Sequence, residues 1–302
     1  MRIPIEPEDA GARLDVFLAE EFEGVTRSAV QRWIDAGLVR VGGAARKANY
    51  KLRPGDEIEA APPEPEPLDA LPEAIPLDVL YEDEWLVVVN KPRGMVVHPA
   101  AGHATGTLVN ALLHHCGGSL SGINGTLRPG IVHRIDKDTS GVLAAAKNDA
   151  AHAALSAQMA AHTVTRRYEA IVHGHIREGG TVDAPLARHP KERKKMTVMP
   201  GGRRAVTHYA VLGTYKGFTH IEAQLETGRT HQIRVHMAHI GHPLLGDTVY
   251  GREKQPHGAD AGQALHARTL GFTHPADGRY LELSAPPDAY FSGLLKRLGM
   301  AR

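Results

Sequence analysis

The sequence predicts an α+β protein in two domains, and three observations carry that expectation. The chain has 302 residues, enough for about two domains. A Pro-rich, strongly acidic segment separates a short first part from a long second part. In both parts, alternating or apolar strand patterns are interspersed with short amphipathic helical spacings.

Composition excludes several classes. Hydrophobic residues make up 42% and charged residues 23%, with 35 Lys+Arg against 34 Asp+Glu, as in an ordinary soluble protein. No run approaches the roughly 18 apolar residues of a membrane helix, and the first residues lack an apolar signal core. Neither membrane insertion nor secretion is therefore expected, and the cytoplasm is the default compartment. A single cysteine, Cys116, can form neither an internal disulfide nor a thiolate zinc site.

The first domain is expected over residues 11–60. Leu14, Phe17 and Leu18 fall at helical spacing, as do Val30, Trp33 and Ile34, so two short helices are predicted over 12–21 and 28–35, with Thr26 or Ser28 capping the second. Gly37 ends that helix, and Leu38-Val39-Arg40-Val41 before Gly42-Gly43 reads as a strand and turn. A Pro54-Gly55-Asp56 turn leads into another short strand.

Charge is distributed unevenly. From Arg27 to Arg53 there are seven basic residues and one acid, whereas residues 54–90 hold eleven acids and no Lys or Arg. Within that acidic stretch residues 61–76 read as a stiff, solvated linker. A second basic segment, Arg188 to Arg204, collects seven basic residues against Glu192 alone and contains Pro190, Pro200, Gly201 and Gly202, so it reads as a loop. The near-neutral total thus conceals two basic patches, each of which on its own could be a solvated face.

The second domain is expected over residues 77–302. Trp85 to Val89 is a buried-strand pattern running into a turn at Asn90-Lys91-Pro92-Arg93-Gly94, and Thr107 opens a helix carrying Leu108, Leu112 and Leu113. His133-Arg134-Ile135-Asp136-Lys137-Asp138-Thr139-Ser140-Gly141 is a loop dense in ionisable groups at the entrance of an apolar strand, which makes it a candidate catalytic loop. Arg134 and Lys137 flank Asp136, and positive neighbours favour the ionised carboxylate. Asp136 is then a candidate nucleophile or base, whereas Asp138 reads as a turn former. Ser140 does not sit in a nucleophile elbow, because Asp138 stands where that pattern needs Gly.

Thr165 to His173 alternates as a strand with Tyr168, Ala170 and Val172 on one face, so Tyr168 is either core or an aromatic placed to stack on a base. Ile221 to Glu226 is an amphipathic strand that ends at Thr227-Gly228-Arg229-Thr230-His231-Gln232-Ile233-Arg234, where the period becomes helical. Arg229, at that junction, could clamp a carboxylate or a phosphate bidentately. His231, His236, His239 and His242 lack a metal-binding spacing and read as surface or hydrogen-bonded structural histidines.

These blocks carry two resemblances. Residues 11–60, through Arg13-Leu14-Asp15, Thr26-Arg27-Ser28, Gly37 to Val41 and Pro54-Gly55-Asp56, resemble the alpha-L RNA-binding domain, which implies that Arg27, Arg32, Arg46 and Lys47 grip a phosphate backbone. The loop 133–141, the Arg167-Tyr168 strand, the segment 225–251, Leu265-His266-Ala267 and Phe272 to Pro275 resemble the RluA/RluD family of pseudouridine synthases over most of residues 77–290. Ile135 stands where that family usually has Leu.

The resemblance implies a catalytic domain with a mixed, largely antiparallel sheet flanked by helices. It implies an isomerase that converts uridine to pseudouridine in a flipped-out nucleotide, with large-subunit ribosomal RNA, free or in a pre-ribosomal particle, as the expected target. Asp136 would be the nucleophile, attacking either the sugar C1′ or the uracil ring. Tyr168 would lie against the base, Arg229 would pair with Asp136, and Arg134 and His133 would bind the substrate, Arg134 filling the space the base leaves. No metal or organic cofactor is implied, and a monomer is the family's usual form. Lys194 and Lys195 of the second basic segment are expected to bind the RNA backbone, an inference from charge alone. The alternatives are a transfer RNA target, or a ribosome-assembly factor that binds RNA without catalysis.

Overall fold

The computed structural model describes residues 2–5, 9–21, 27–61, 70–100, 103–123, 128–192, 195–251, 256 and 258–300. The side chains of residues 20, 28, 29, 32 and 300 also lie outside this description. So do Thr26, Lys194, residues 62–69 of the expected linker, and hence the expected roles of Thr26, Arg32 and Lys194. The chain divides into two compact units, residues 1–67 and 68–302.

The first unit contains β1 (Arg2–Pro4), α1 (Leu14–Glu21), α2 (Arg27–Asp35), β2 (Val39–Val41) and β3 (Glu57–Ala60). The strands form an antiparallel sheet in the order β1-β3-β2. Leu14 and Leu18 of α1, Val30 and Ile34 of α2, and Val39, Val41 and Ile58 of the sheet close a separate small core. The second helix begins at Arg27, so Ser28 falls inside it rather than capping it. Strand β1 lay outside the sequence reading because three residues are too few to show a period.

The second unit is built on one nine-stranded sheet. Its elements are β4 (Val79–Glu82), β5 (Leu86–Lys91), α3 (Leu108–His115), β6 (Ser140–Ala146), α4 (Asp149–Ala160), β7 (Thr165–His173), β8 (Gly180–Asp183), β9 (Leu186–Arg188), β10 (Met196–Val198), β11 (Val206–Tyr215), β12 (Phe218–Leu225), α5 (Gln232–His239), β13 (Leu265–Thr273), β14 (Tyr280–Ser284) and α6 (Ala289–Met300). The strand order is β4-β5-β6-β13-β7-β12-β11-β8, with β14 beside β13. Among the described residues only the β6–β13 pairing is parallel, so the sheet is mixed and largely antiparallel, and the fold is α+β.

The apolar runs of β5 and β6 have a physical cause: both faces are covered. Val87, Val89, Leu143 and Ala145 face a core shared with Leu108 and Leu112 of α3 and with Ile233 and Met237 of α5. Leu86, Val88, Val142 and Ala144 face a second core with Ala151 and Leu155 of α4. Thr107 caps α3 through a reciprocal capping box with Asn110. Among the described residues no helix is long and apolar enough to cross a membrane.

Two segments differ from expectation. Residues 70–76, read as solvated linker, are docked against α3: Asn110 Nδ2 donates to the Leu71 carbonyl at 2.7 Å, and the Glu73 carboxylate accepts the Gly106 N–H at 3.0 Å. Ala70 and Leu77 pack on the core there, and a count of prolines and acids does not register such local apolar contacts. The basic segment 188–204, read as a loop, contains β10, which pairs antiparallel with β9. Met196 and Val198 join Leu186 and Val235 in a small apolar cluster, which holds the hairpin against α5.

Candidate active site

The loop from His133 to Thr139 leads into β6, where the backbone admits no side chain at one point. Gly141 has φ +116°, and a Cβ there would collide with the backbone of Ala267 on the adjacent β13. The loop is fastened from behind by the turn after β5. Lys91 is fully buried and donates from Nζ to the carbonyls of Pro92 and Met95 at 2.8 Å each and of Lys137 at 3.1 Å. Burial pushes the Lys91 ammonium down to about 7, and Arg93 adds to the shift while Asp138, Asp136 and Asp288 oppose it. The Arg93 guanidinium stacks on Tyr290, pairs with Asp288 at 2.9 Å and donates to the carbonyls of Asp138 and Gln263. In the sequence the segment 90–94 shows only as a turn, and neither Lys91 nor Arg93 stands out as part of the site.

Asp136 projects from this loop with its side chain 21% exposed. Its Oδ2 accepts a hydrogen bond from Arg234 Nη1 at 2.9 Å, and His231 Nε2 lies 3.8 Å from Oδ1. The expected partner, Arg229, does not fill this role. Its Nε donates to the Arg204 carbonyl at 3.1 Å, while Arg234, five residues further on and facing inward from α5, takes the carboxylate. The signal was present: Arg234 is the one cation among Ile233, Val235 and Met237 on a buried helix segment. Asp247, also missed, receives Arg234 Nε and Nη2 at 2.7 and 3.0 Å. Burial opposes the charge on Asp247, yet Arg234 and the amides of Tyr250 and Val249 hold its carboxyl below the usual range. Burial works against Arg234 too, but the two carboxylates raise it above its usual value.

The strand-to-helix junction is braced by Gln232. Its Oε1 accepts from Thr227 Oγ1 at 2.8 Å and from the Arg229 amide at 3.0 Å, and its Nε2 donates to the Val206 carbonyl at 2.9 Å. His231 stands in the left-handed region at φ 56° and its Nδ1 is hydrogen-bonded to the Tyr250 hydroxyl at 2.9 Å. His236 is hydrogen-bonded to Thr207 and Ala184, and His242 to His173. Among the described residues no group of His, Cys, Asp or Glu side chains is arranged to hold a metal ion.

Tyr168 of β7 is both core and site. It is 8% exposed, packs with Ala170 and Val172, and lines the same pocket as Asp136. Burial raises its hydroxyl pKa, Arg166 opposing and Asp136 adding to the shift, so the phenol holds its proton. A cleft of about 470 Å³ opens over Asp136 and Tyr168 and is lined also by His133, Arg134, Arg166, Arg229 and His231. That volume lies within the roughly 300–1,000 Å³ of small-ligand sites. Arg134 is exposed at its edge. His133 is turned to the backbone instead, its Nε2 accepting the Ala144 N–H at 3.0 Å.

The expected RNA contacts of the first unit are partly engaged already. Arg27 Nε donates to the buried Asp15 at 2.7 Å, and Arg13 and Gln31 donate to the same carboxylate. Arg46 and Lys47 are exposed, Arg46 lying over the Tyr50 ring. In the second basic segment Lys195 pairs with Glu192 at 2.6 Å.

The second unit, with a carboxylate–guanidinium pair beneath an arginine-lined cleft, has the layout of an enzyme site, and the comparisons give its class. The family model of RNA pseudouridylate synthase matches residues 85–239, and that of the S4 domain, the alpha-L type, matches residues 12–58. The chain belongs to the RNA pseudouridine synthase family. A Bacillus subtilis protein named as an uncharacterized RNA pseudouridine synthase is 55% identical over 298 residues, 98% of this chain and 97% of the relative. Ribosomal large subunit pseudouridine synthase D of Zymomonas mobilis is 51% identical over 294 residues, 94% of this chain and 93% of the relative. The solved human RNA pseudouridylate synthase domain containing 1 aligns with a TM-score of 0.58 at 26% identity, over 79% of this chain and 98% of that one.

Proposed function

We propose that this enzyme isomerises specific uridines of large-subunit ribosomal RNA, with Asp136 as nucleophile acting on a nucleotide flipped out of its stack. The observation that carries the reading is the Asp136–Arg234 pair at 2.9 Å under an open cleft that also contains Tyr168. A uracil stacked in folded RNA is out of reach of a protein carboxylate, so the chemistry requires extrusion into such a cleft. The ribosomal target is supported by relatives named ribosomal large subunit pseudouridine synthase D in Zymomonas mobilis and Pseudomonas aeruginosa, 51% and 44% identical.

In the reaction the C1′–N1 bond breaks, a C1′–C5 bond forms, the C5 proton leaves and N1 gains a proton, so uridine and product are isomers. Attack of the carboxylate at C1′ or at the ring leads to the same balance. Arg234 holds one carboxylate oxygen and thereby aims the other at the nucleotide. Tyr168, kept protonated by burial, offers a flat apolar face against the uracil. Arg134, at the cleft edge, takes the place the extruded base leaves. The same reading puts the protein in the cytoplasm, acting as a monomer.

Pseudouridine mapping across total RNA of cells lacking the protein tests the target. Loss of one or more large-subunit sites is expected, restored by the wild-type gene. Losses confined to transfer RNA would move the substrate there.

A further inference from the structure

The cleft beside Asp136 holds more positive charge than the Asp136–Arg234 pair accounts for. Arg234 is matched by two carboxylates, whereas Arg166 and Arg229 line the cleft and form no ion pair among the described residues. Arg166 is more than nine-tenths buried. Its Nη2 donates to the Glu226 carbonyl at 2.9 Å, and among the described residues its buried Nε has no partner and its Nη1 forms no hydrogen bond. Arg229 uses Nε on the Arg204 carbonyl, and its two Nη groups form no hydrogen bond among the described residues. Burying a charge without a counter-ion is strongly unfavourable, so a pair of uncompensated guanidiniums in one cleft implies an anion that arrives with the substrate.

Gly228 strengthens the argument. Its φ is not in the left-handed region, so no turn requires glycine there. A Cβ at this position would instead collide with Arg166 Nη1. The missing side chain lets the guanidinium lie against the backbone within the cleft.

We propose that Arg166 and Arg229, together with the gap at Gly228, form a phosphate-binding subsite for a backbone phosphodiester of the RNA strand next to the reacting nucleotide. The proposal rests on the reading that an RNA nucleotide enters this cleft. Guanidinium N–H groups match the two non-bridging oxygens of a phosphodiester and read no base. Held there, the phosphate sets the distance of the ribose from Asp136, so that binding energy from a non-reacting group serves the chemical step. Free uridine, without the phosphate, would bind the cleft poorly.

The test uses the full-length protein, large-subunit ribosomal RNA transcribed in vitro with tritium at uridine C5, and the variants Arg166→Gln, Arg229→Gln and Arg166→Lys. Filter binding over a range of salt gives the slope of log Kd against log salt. Each Gln variant is expected to weaken binding by roughly tenfold and to flatten the slope by about 0.7, the value for one single-strand phosphate contact. Arg166→Lys is expected to keep the slope. Wild-type slopes in both Gln variants would overturn the proposal, as would a fall in kcat with an unaltered slope, which marks Arg166 as a brace for Glu226. Should Arg166→Gln unfold, the half-buried Arg229→Gln decides alone. Absence of tritium release by the wild type would instead refute the isomerase reading, and the binding slopes would still decide the subsite.

Discussion

Arg234 holds two carboxylates at once, Asp136 through Nη1 at 2.9 Å and Asp247 through Nε and Nη2 at 2.7 and 3.0 Å. Asp247 is fully buried and also accepts the amides of Val249 and Tyr250. The guanidinium is therefore fixed from behind and presents Nη1 to the reactive loop. A planar fork can do this, and a single ammonium cannot.

Arg234→Lys is expected to keep the charge and lose the geometry. Tritium release should fall by about 100-fold or more, the scale on which small misplacements act. Arg234→Met, which takes the guanidinium away from the buried Asp247 carboxylate, should destabilise the fold by roughly 3–5 kcal/mol in urea unfolding. A lysine variant with wild-type turnover would show that the fork is dispensable.

Gly141→Ala places a Cβ against the Ala267 backbone at the one parallel strand pairing, from a φ of +116° that side chains rarely adopt. The strands must separate, costing about 1–3 kcal/mol and shifting the loop that carries Asp136. A reduced Tm with reduced turnover is expected. An unchanged Tm would mean that the strand pairing yields without cost.

Burial pushes His133 down to about 3 from 6.5, with Arg166 adding to the shift. The folded state then refuses a proton that the unfolded chain accepts, so stability rises with pH between those values. The contribution is complete above about 6.5 and is lost progressively as the pH falls towards 3. His133→Gln retains an acceptor for the Ala144 amide and should flatten the decline of the urea midpoint with acid. An equally steep decline in the variant would assign the effect to other histidines.

Neutralising Lys194 and Lys195 together tests the second basic segment as an RNA clamp. Lys195 already pairs with Glu192, so the expected change in salt slope is below the roughly 1.4–1.8 of two free phosphate contacts. An unaltered slope would remove this segment from the interface.

Much of the fold was legible because period and turn chemistry act locally. Strand β7 was predicted over Thr165 to His173 and occupies those residues, and Thr107 opens α3 as its capping chemistry requires. Asp136 and Tyr168 were legible as candidates because polar clusters and alternating faces show in one dimension. Arg234 shows in the sequence only as a lone cation in an apolar helical run, and that it reaches Asp136 where Arg229 does not follows from the inward rotation of α5. Lys91 and Arg93 act through backbone carbonyls more than forty residues away, an association created by tertiary packing alone. Residues 70–76 read as linker because prolines and acids dominate the whole segment 61–76, while their docking depends on specific bonds to Asn110 and Gly106.

The most direct measurement is tritium release from uridine-C5-labelled ribosomal RNA by Asp136→Asn beside the wild type. The asparagine keeps the shape and a hydrogen bond to Arg234 but cannot act as a nucleophile. Release by the wild type and none above background by the variant, with RNA binding retained, is the predicted result. Equal release from both proteins would contradict the assignment of Asp136.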